Sequence, residues 1–254
     1  MNSLRKLIGD HPEYIFTTQY CLAGGEWNTY LSFMNYYNLV ITEKQISVDL
    51  LIIFHDEEGN ELIVHKQKVE PSTSVQIDAR FLGVNKSGLL AVAAIADQNL
   101  QELVGNRLKI NSRISTGFYV TWDRGNRARG MMHEWDGVSK DGQTMSTHHV
   151  GLRYDEQVEE HGLIVTNPSL APSQDGNDLL VIRNSKNRET VAKAEMKRLP
   201  PMGSKIIRFK DHFPEFDYLL QEHGQLVVSL TTSSQSAPLT AEWSKSGDFH
   251  FHHI

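Results

Sequence analysis

At 254 residues the chain is long enough for one large or two ordinary domains, each able to bury its own core. Its net charge of -6 leaves no basic excess with which to displace counterions from nucleic acid or dock on an acidic membrane, so neither is an expected partner. Cys21 is the single cysteine, which excludes an intramolecular disulfide, and no run approaches the roughly 18 apolar residues of a spanning helix.

The opening MNSLRKLIGDHPEYIF is polar, lacks the apolar segment of a secretory signal, and predicts at most a short helical turn around Leu4, Leu7 and Ile8. A reduced, cytoplasmic location is the resulting expectation. Residues 14–35 are rich in aromatic and β-branched side chains broken by Gly24 and Gly25, the pattern of two strands around a turn. Ile46 to Phe54 is a nearly continuous apolar run of strand length. Turn chemistry follows at residues 56–60, then a return strand that ends at Pro71, which cannot donate to a ladder. Val75 to Phe81, Gly88 to Ala96 and Thr116 to Trp122 read as three further strands.

The second half repeats this order. Laid over residues 49–79 without a gap, residues 178–208 place Asp178 on Asp49, Leu180 on Leu51, Ile182 on Ile53, Lys197 on Lys68, Pro200 on Pro71 and Ile206 on Ile77. Asn167 matches Asn35, Gly224 matches Gly88, and Trp243 matches Trp122. One order of strand, hairpin, proline, strand, glycine, strand and tryptophan in both halves predicts an internal duplication. The expected fold is all-β, two tandem antiparallel β-sandwich or flattened-barrel units without helical crossovers, residues 1–135 and 136–254. This order, with its Asn-ended first strand, hairpin, proline and late Gly-initiated strand, resembles the small β-sandwich proteins of the sensory rhodopsin transducer family. The resemblance implies a cytoplasmic, non-enzymatic binding module that forms homo-oligomers, here as a fused pair, and it assigns no residue a role.

Chemistry concentrates in residues 124–149, RGNRARGMMHEWDGVSKDGQTMSTHH, read as a polar connector between the halves. Arg124, Arg127 and Arg129 beside the exposed aromatic candidate Trp135 suit an anionic carbohydrate or a phosphorylated ligand. His133 and Glu134 begin like the helical zinc motif, but Gly137 stands where its second histidine is required. His148 and His149 are adjacent and would point to opposite faces of a strand. At the end of the chain His250 and His252 share a strand face roughly 6.5 to 7 Å apart, a spacing that lets two imidazoles reach one metal. A divalent ion such as zinc, held by His133, Glu134, His148, His250 and His252, is therefore a candidate cofactor.

No phosphate loop, nucleophile elbow or activated cysteine is present, and no catalytic residue is assigned. Two functions remain open: a non-enzymatic protein that binds a small molecule or protein partner, and a metal-dependent enzyme with a histidine-rich site.

Overall fold

The structure, a computed structural model, describes residues 3–11, 14, 16–37, 45–97, 99–100, 102–103, 116–125, 128–134, 137–140, 145–171, 177–234 and 236–253. It divides into two compact units, residues 1–138 and 139–254, where the sequence reading placed the boundary after residue 135.

The first unit opens with α1 (Ser3–Asp10), whose Leu4 and Ile8 lie four residues apart and are both buried. Eight strands follow: β1 (Phe16–Cys21), β2 (Trp27–Met34), β3 (Val48–Asp56), β4 (Glu61–Val69), β5 (Ser74–Asp78), β6 (Gly88–Ile95), β7 (Phe118–Arg124) and β8 (Ala128–His133). They form two antiparallel sheets, in the orders β1-β6-β3-β4 and β5-β2-β7-β8. The second unit holds β9 (Ser146–Arg153), β10 (Val158–Thr166), β11 (Asn177–Asn184), β12 (Thr190–Lys197), β13 (Ser204–Arg208), β14 (Gln225–Thr232), β15 (Leu239–Ser244) and β16 (Phe249–His253). Its sheets run β9-β14-β11-β12 and β13-β10-β15-β16, so each strand takes the place of its counterpart in the first unit. The fold is all-β, with four antiparallel sheets and two sandwich-like units of identical strand order.

Strand correspondence holds, but the gapless residue match is out of phase. Leu50, Ile52 and Phe54 lie opposite the half-buried side of β4, at Gln67, His65 and Ile63, while Leu51 and Ile53 lie opposite exposed Lys66 and Val64. In β11 it is Leu180 and Ile182 that face the half-buried Ala194 and Ala192. Laying Leu51 on Leu180 therefore sets an outward residue over an inward one, because side chains alternate and a slip of one position inverts the faces. Each hairpin also carries a bulge, between Phe54 and His55 in one and between Ile182 and Arg183 in the other. At the following turn Ser72 and Met202 both take positive φ, 54° and 58°, so Pro71 corresponds to Pro201 and not to Pro200.

The asparagines at the ends of β2 and β10 do the same job in each unit. Asn35 Nδ2 donates to the carbonyls of Ile46, Val69 and Glu70 at 2.7, 3.2 and 3.3 Å. Asn167 Nδ2 donates to those of Leu199 and Pro200 at 3.3 and 3.1 Å. Both tie a strand end to the turn where the chain crosses from one sheet to the other.

The expectation of no helical crossover is corrected in the second unit. Between β13 and β14 the chain forms α2 (Phe209–His212) and α3 (Phe216–His223), and Gly224 closes α3 in the left-handed conformation with its N–H on the Leu220 carbonyl. Phe209, Phe213, Phe216 and Leu220 supply one apolar stripe to a core that also takes Leu163 and Val165 from β10, Leu180 and Ile182 from β11, and Leu226, Val228 and Leu230 from β14. In the first unit only residues 79–87 join the corresponding strands. Among the described residues no helix is long and apolar enough to cross a membrane.

Replacing Asn35 or Asn167 by alanine strips donors from buried carbonyls, and each variant is expected to lose about 1 to 3 kcal/mol of unfolding free energy in urea titration. A loss under about 0.5 kcal/mol in both would mean that the amides do not hold the turns.

Candidate functional site: a cleft in the second unit

The inward face of β2 and β7 carries Thr29, Leu31 and Phe33 opposite Trp122, Val120 and Phe118. Counting back from Asn35 to Thr29 and from Asn167 to His161 spans the same distance, so His161 is the counterpart of Thr29, and Leu163 and Val165 repeat the buried Leu31 and Phe33. Thr29 pairs with Trp122; His161 pairs with Glu242. The next strand continues the row with Gly130 in the first unit and His250 in the second. One repeat therefore writes Thr, Trp, Gly where the other writes His, Glu, His.

In the first unit this row is closed. Trp122 is fully buried and its Nε1 donates to the Tyr20 carbonyl at 3.1 Å. Thr29 Oγ1 donates to the Leu22 carbonyl at 2.8 Å and accepts from the Leu22 N–H at 2.9 Å. Trp243, matched to Trp122 by the sequence, sits one position further on, half-buried on the opposite face, with its ring tilted at 45° against Phe249 and under the Arg208 guanidinium.

In the second unit the row is open. His161 is 4% exposed, and neither ring nitrogen has a hydrogen-bond partner in the protein. Its Nε2 lies 3.7 Å from Glu242 Oε1, beyond hydrogen-bond reach. The ring leans on Phe216 of α3, with 5.8 Å between centroids. Beside it opens a cleft of about 300 Å³ lined by the β9–β10 turn (Tyr154, Asp155, Glu156), by Val158 and Glu159 of β10, by Lys210, Asp217, Leu220 and Gln221 of the helices, and by Lys245. Gly162, next to His161, lets β10 run close to β13, since a Cβ there would lie 2.5 Å from the Ile207 carbonyl oxygen.

The electrostatics of the ring oppose its burial. Desolvation lowers the His161 pKa below 6.5, and Lys210 adds to this, while Glu242, Asp217 and Asp155 pull it upward. Burial wins, so the imidazole is neutral at neutral pH, with one nitrogen able to accept and one to donate. Lys210 Nζ bonds Asp217 at 2.7 Å and the Glu159 carbonyl at 2.8 Å, which leaves Asp155, Glu156 and Glu159 on the cleft against Lys245.

The described residues among those singled out by sequence lie elsewhere, with one exception. Residues 124–149 are no simple connector: Arg124 ends β7, Arg129 and His133 belong to β8, and His148 and His149 to β9. Arg124 Nε bonds Glu26 at 3.1 Å and its guanidinium lies 5.7 Å from the Trp27 ring centroid. Arg127 and Trp135 lie outside the described residues, as do the side chains of Arg129 and His252. Glu134 is buried in the first unit, where it accepts from the Gly117 N–H at 3.1 Å, and burial raises its carboxyl pKa. His133 Nδ1 meets the Glu134 carbonyl, and His148 Nε2 meets Ser146 Oγ at 3.0 Å. His133, opposite Tyr119, corresponds to His253, opposite Leu239, and not to His252. The exception is His250, directly across from Glu242 on the neighbouring strand. Even so, among the described residues no three His, Cys, Asp or Glu side chains gather closely enough to hold a metal ion.

His161 escaped the sequence reading because HGLIVTN reads as an ordinary strand with a polar first residue. The signal was present in the repeat itself, in a histidine and a glutamate standing where the other copy has threonine and tryptophan, once the register is right.

No protein-family model matches the chain, and no curated protein matches it. Among solved structures, a family 2 glycosyl hydrolase from Bacteroides cellulosilyticus DSM 14838 aligns at 10% identity with a TM-score of 0.17, over 93% of this chain and 28% of its own length. The chain thus spans under a third of that protein, and a likeness of this size carries no argument.

The lowered pKa sets a sign for stability. Above pH 6.5 the ring is neutral folded or unfolded; as pH falls below that, the unfolded chain takes up a proton that the folded chain refuses, so this group's contribution is lost toward the folded pKa. The His161 ring should titrate below pH 6.5 by NMR, and Glu242→Gln should move the midpoint further down by removing the strongest upward influence. A midpoint at or above 6.5 would mean that burial does not dominate.

Proposed function

We propose that the chain is a non-enzymatic binding protein and that the cleft beside His161 receives a small polar ligand. One observation carries the reading: a buried imidazole with neither nitrogen satisfied, at the wall of an open cleft, paired with Glu242 where the other repeat pairs a hydrogen-bonded threonine with a buried tryptophan. A native interior satisfies nearly all its buried polar groups, and His161, unlike the equally unpartnered His55 of the first unit, lies at a cleft from which a partner outside the chain can reach it. A volume of about 300 Å³ is at the small end of ligand sites.

Binding is favoured over catalysis by what lines the cleft. No serine, threonine or cysteine is among those residues, and Glu242 stands too far from His161 to orient it as a general base. Cys21, in the first unit, is buried and its thiol is pushed up to about 12, which makes it inert as a nucleophile. The resemblance of each half to the sensory rhodopsin transducer family points the same way and adds a cytoplasmic, self-associating module to the proposal.

A panel of small polar compounds, cationic, anionic and neutral, tested against the isotope-labelled protein is the direct trial. Binders are expected to shift the His161 ring and the amides of residues 154–161 and 217–221, and His161→Phe is expected to abolish those shifts while leaving the remaining spectrum intact. If no compound shifts these signals, the cleft is not a ligand site.

A further inference from the structure

We infer that the ligand of this cleft carries a primary ammonium group, an inference that rests on the binding reading above. The cleft walls hold Asp155, Glu156, Glu159 and Asp217 against Lys210 and Lys245, and Glu242 lies behind the imidazole. Lys210 is already held by Asp217 and the Glu159 carbonyl, so the charge left to a visitor is negative.

Carboxylates alone would say little. The second observation is the His161 side chain, 5% exposed and unpartnered, which contributes a neutral acceptor nitrogen to the same wall. Every charged group that faces the ring, from each element packed on it, enters the balance: Glu242 on β15, Asp217 on α3 and Asp155 in the β9–β10 turn favour a cation there, and Lys210 on α2 opposes it. The field at this point therefore asks for positive charge. Imidazole cannot supply it, because its solution pKa of about 6.5 is too low to survive the desolvation. An alkylammonium, with a pKa of about 10.4 as in lysine, keeps its proton under the same penalty. It offers three donors, enough for the His161 nitrogen and the neighbouring carboxylates together. A carboxylate or phosphate ligand would meet the acidic wall with like charge.

The test compares n-butylamine, n-butanol and n-butyrate, three ligands of one length and three charges, with zinc chloride as a fourth arm, read by the His161 ring signals at pH 7.5. Butylamine alone is expected to give a saturable shift. Its apparent affinity should fall about tenfold for each pH unit below the His161 midpoint, where the acceptor nitrogen is lost and a like charge appears. Asp217→Asn, at an exposed helix position, removes a carboxylate and frees Lys210, and should weaken butylamine at least fivefold without disturbing the fold. His161→Gln should abolish the shift of the surrounding amides. Equal or tighter binding of butanol, butyrate or zinc at these residues overturns the ammonium inference and leaves the cleft as a binding site. Silence toward butylamine overturns it as well, and the wider panel then decides the cleft separately.

Discussion

The crossing from one sheet to the other is the constraint on which each sandwich rests. At that point the chain leaves its ladder, so the carbonyls of the turn lose their strand partners while staying under the core. Asn35 and Asn167 answer this with one side-chain amide each, reaching from the end of a strand in one sheet to the carbonyls that close a strand of the other. The amide fixes the two layers against each other, and the positive φ at Ser72 and Met202 follows from the turn it holds. Strand order, inward face and the position of every later residue are then referred to the same anchor in both units.

Measured from that anchor, the two units differ in few places, and the differences converge. The helical segment of residues 209–223 replaces a short loop, and the row of Thr29, Trp122 and Gly130 becomes His161, Glu242 and the exposed His250. Phe216 of the helix touches the His161 ring, and Asp217 beside it lines the cleft. A duplicated frame can change one copy without losing the fold because the anchors, the core rows at Leu163 and Val165, and the strand order stay as they were.

Alternation and turn residues made the strands and their order legible in the sequence, down to the Asn, Pro and Gly punctuation. Register was not, since two apolar runs such as LLIIF and LLVIR can be slid by one residue at no cost in hydrophobicity, while the slip exchanges inside for outside. That exchange hid the site: with Trp243 laid on Trp122, Glu242 falls on the wrong face and His161 acquires no partner. The helical segment was missed for another reason. Phe209, Phe213, Phe216 and Leu220 do follow helical spacing, but Pro214 interrupts the run and each piece is short, so tertiary burial of the stripe rather than local propensity makes it helical.

The energetic contrast between the copies gives the row its meaning. In the first unit a tryptophan fills the space and donates its one N–H, and a threonine satisfies both groups of Leu22, so the position adds packing and hydrogen bonds at once. In the second an imidazole in the threonine's place forms no hydrogen bond within the protein and does not reach the carboxylate in the tryptophan's place, an arrangement that costs about 1 to 3 kcal/mol against a satisfied alternative. The frame demonstrably accepts a sealing pair there, since the other copy carries one. A destabilising arrangement at a position where the fold has a stabilising solution at hand is not something that the fold itself requires.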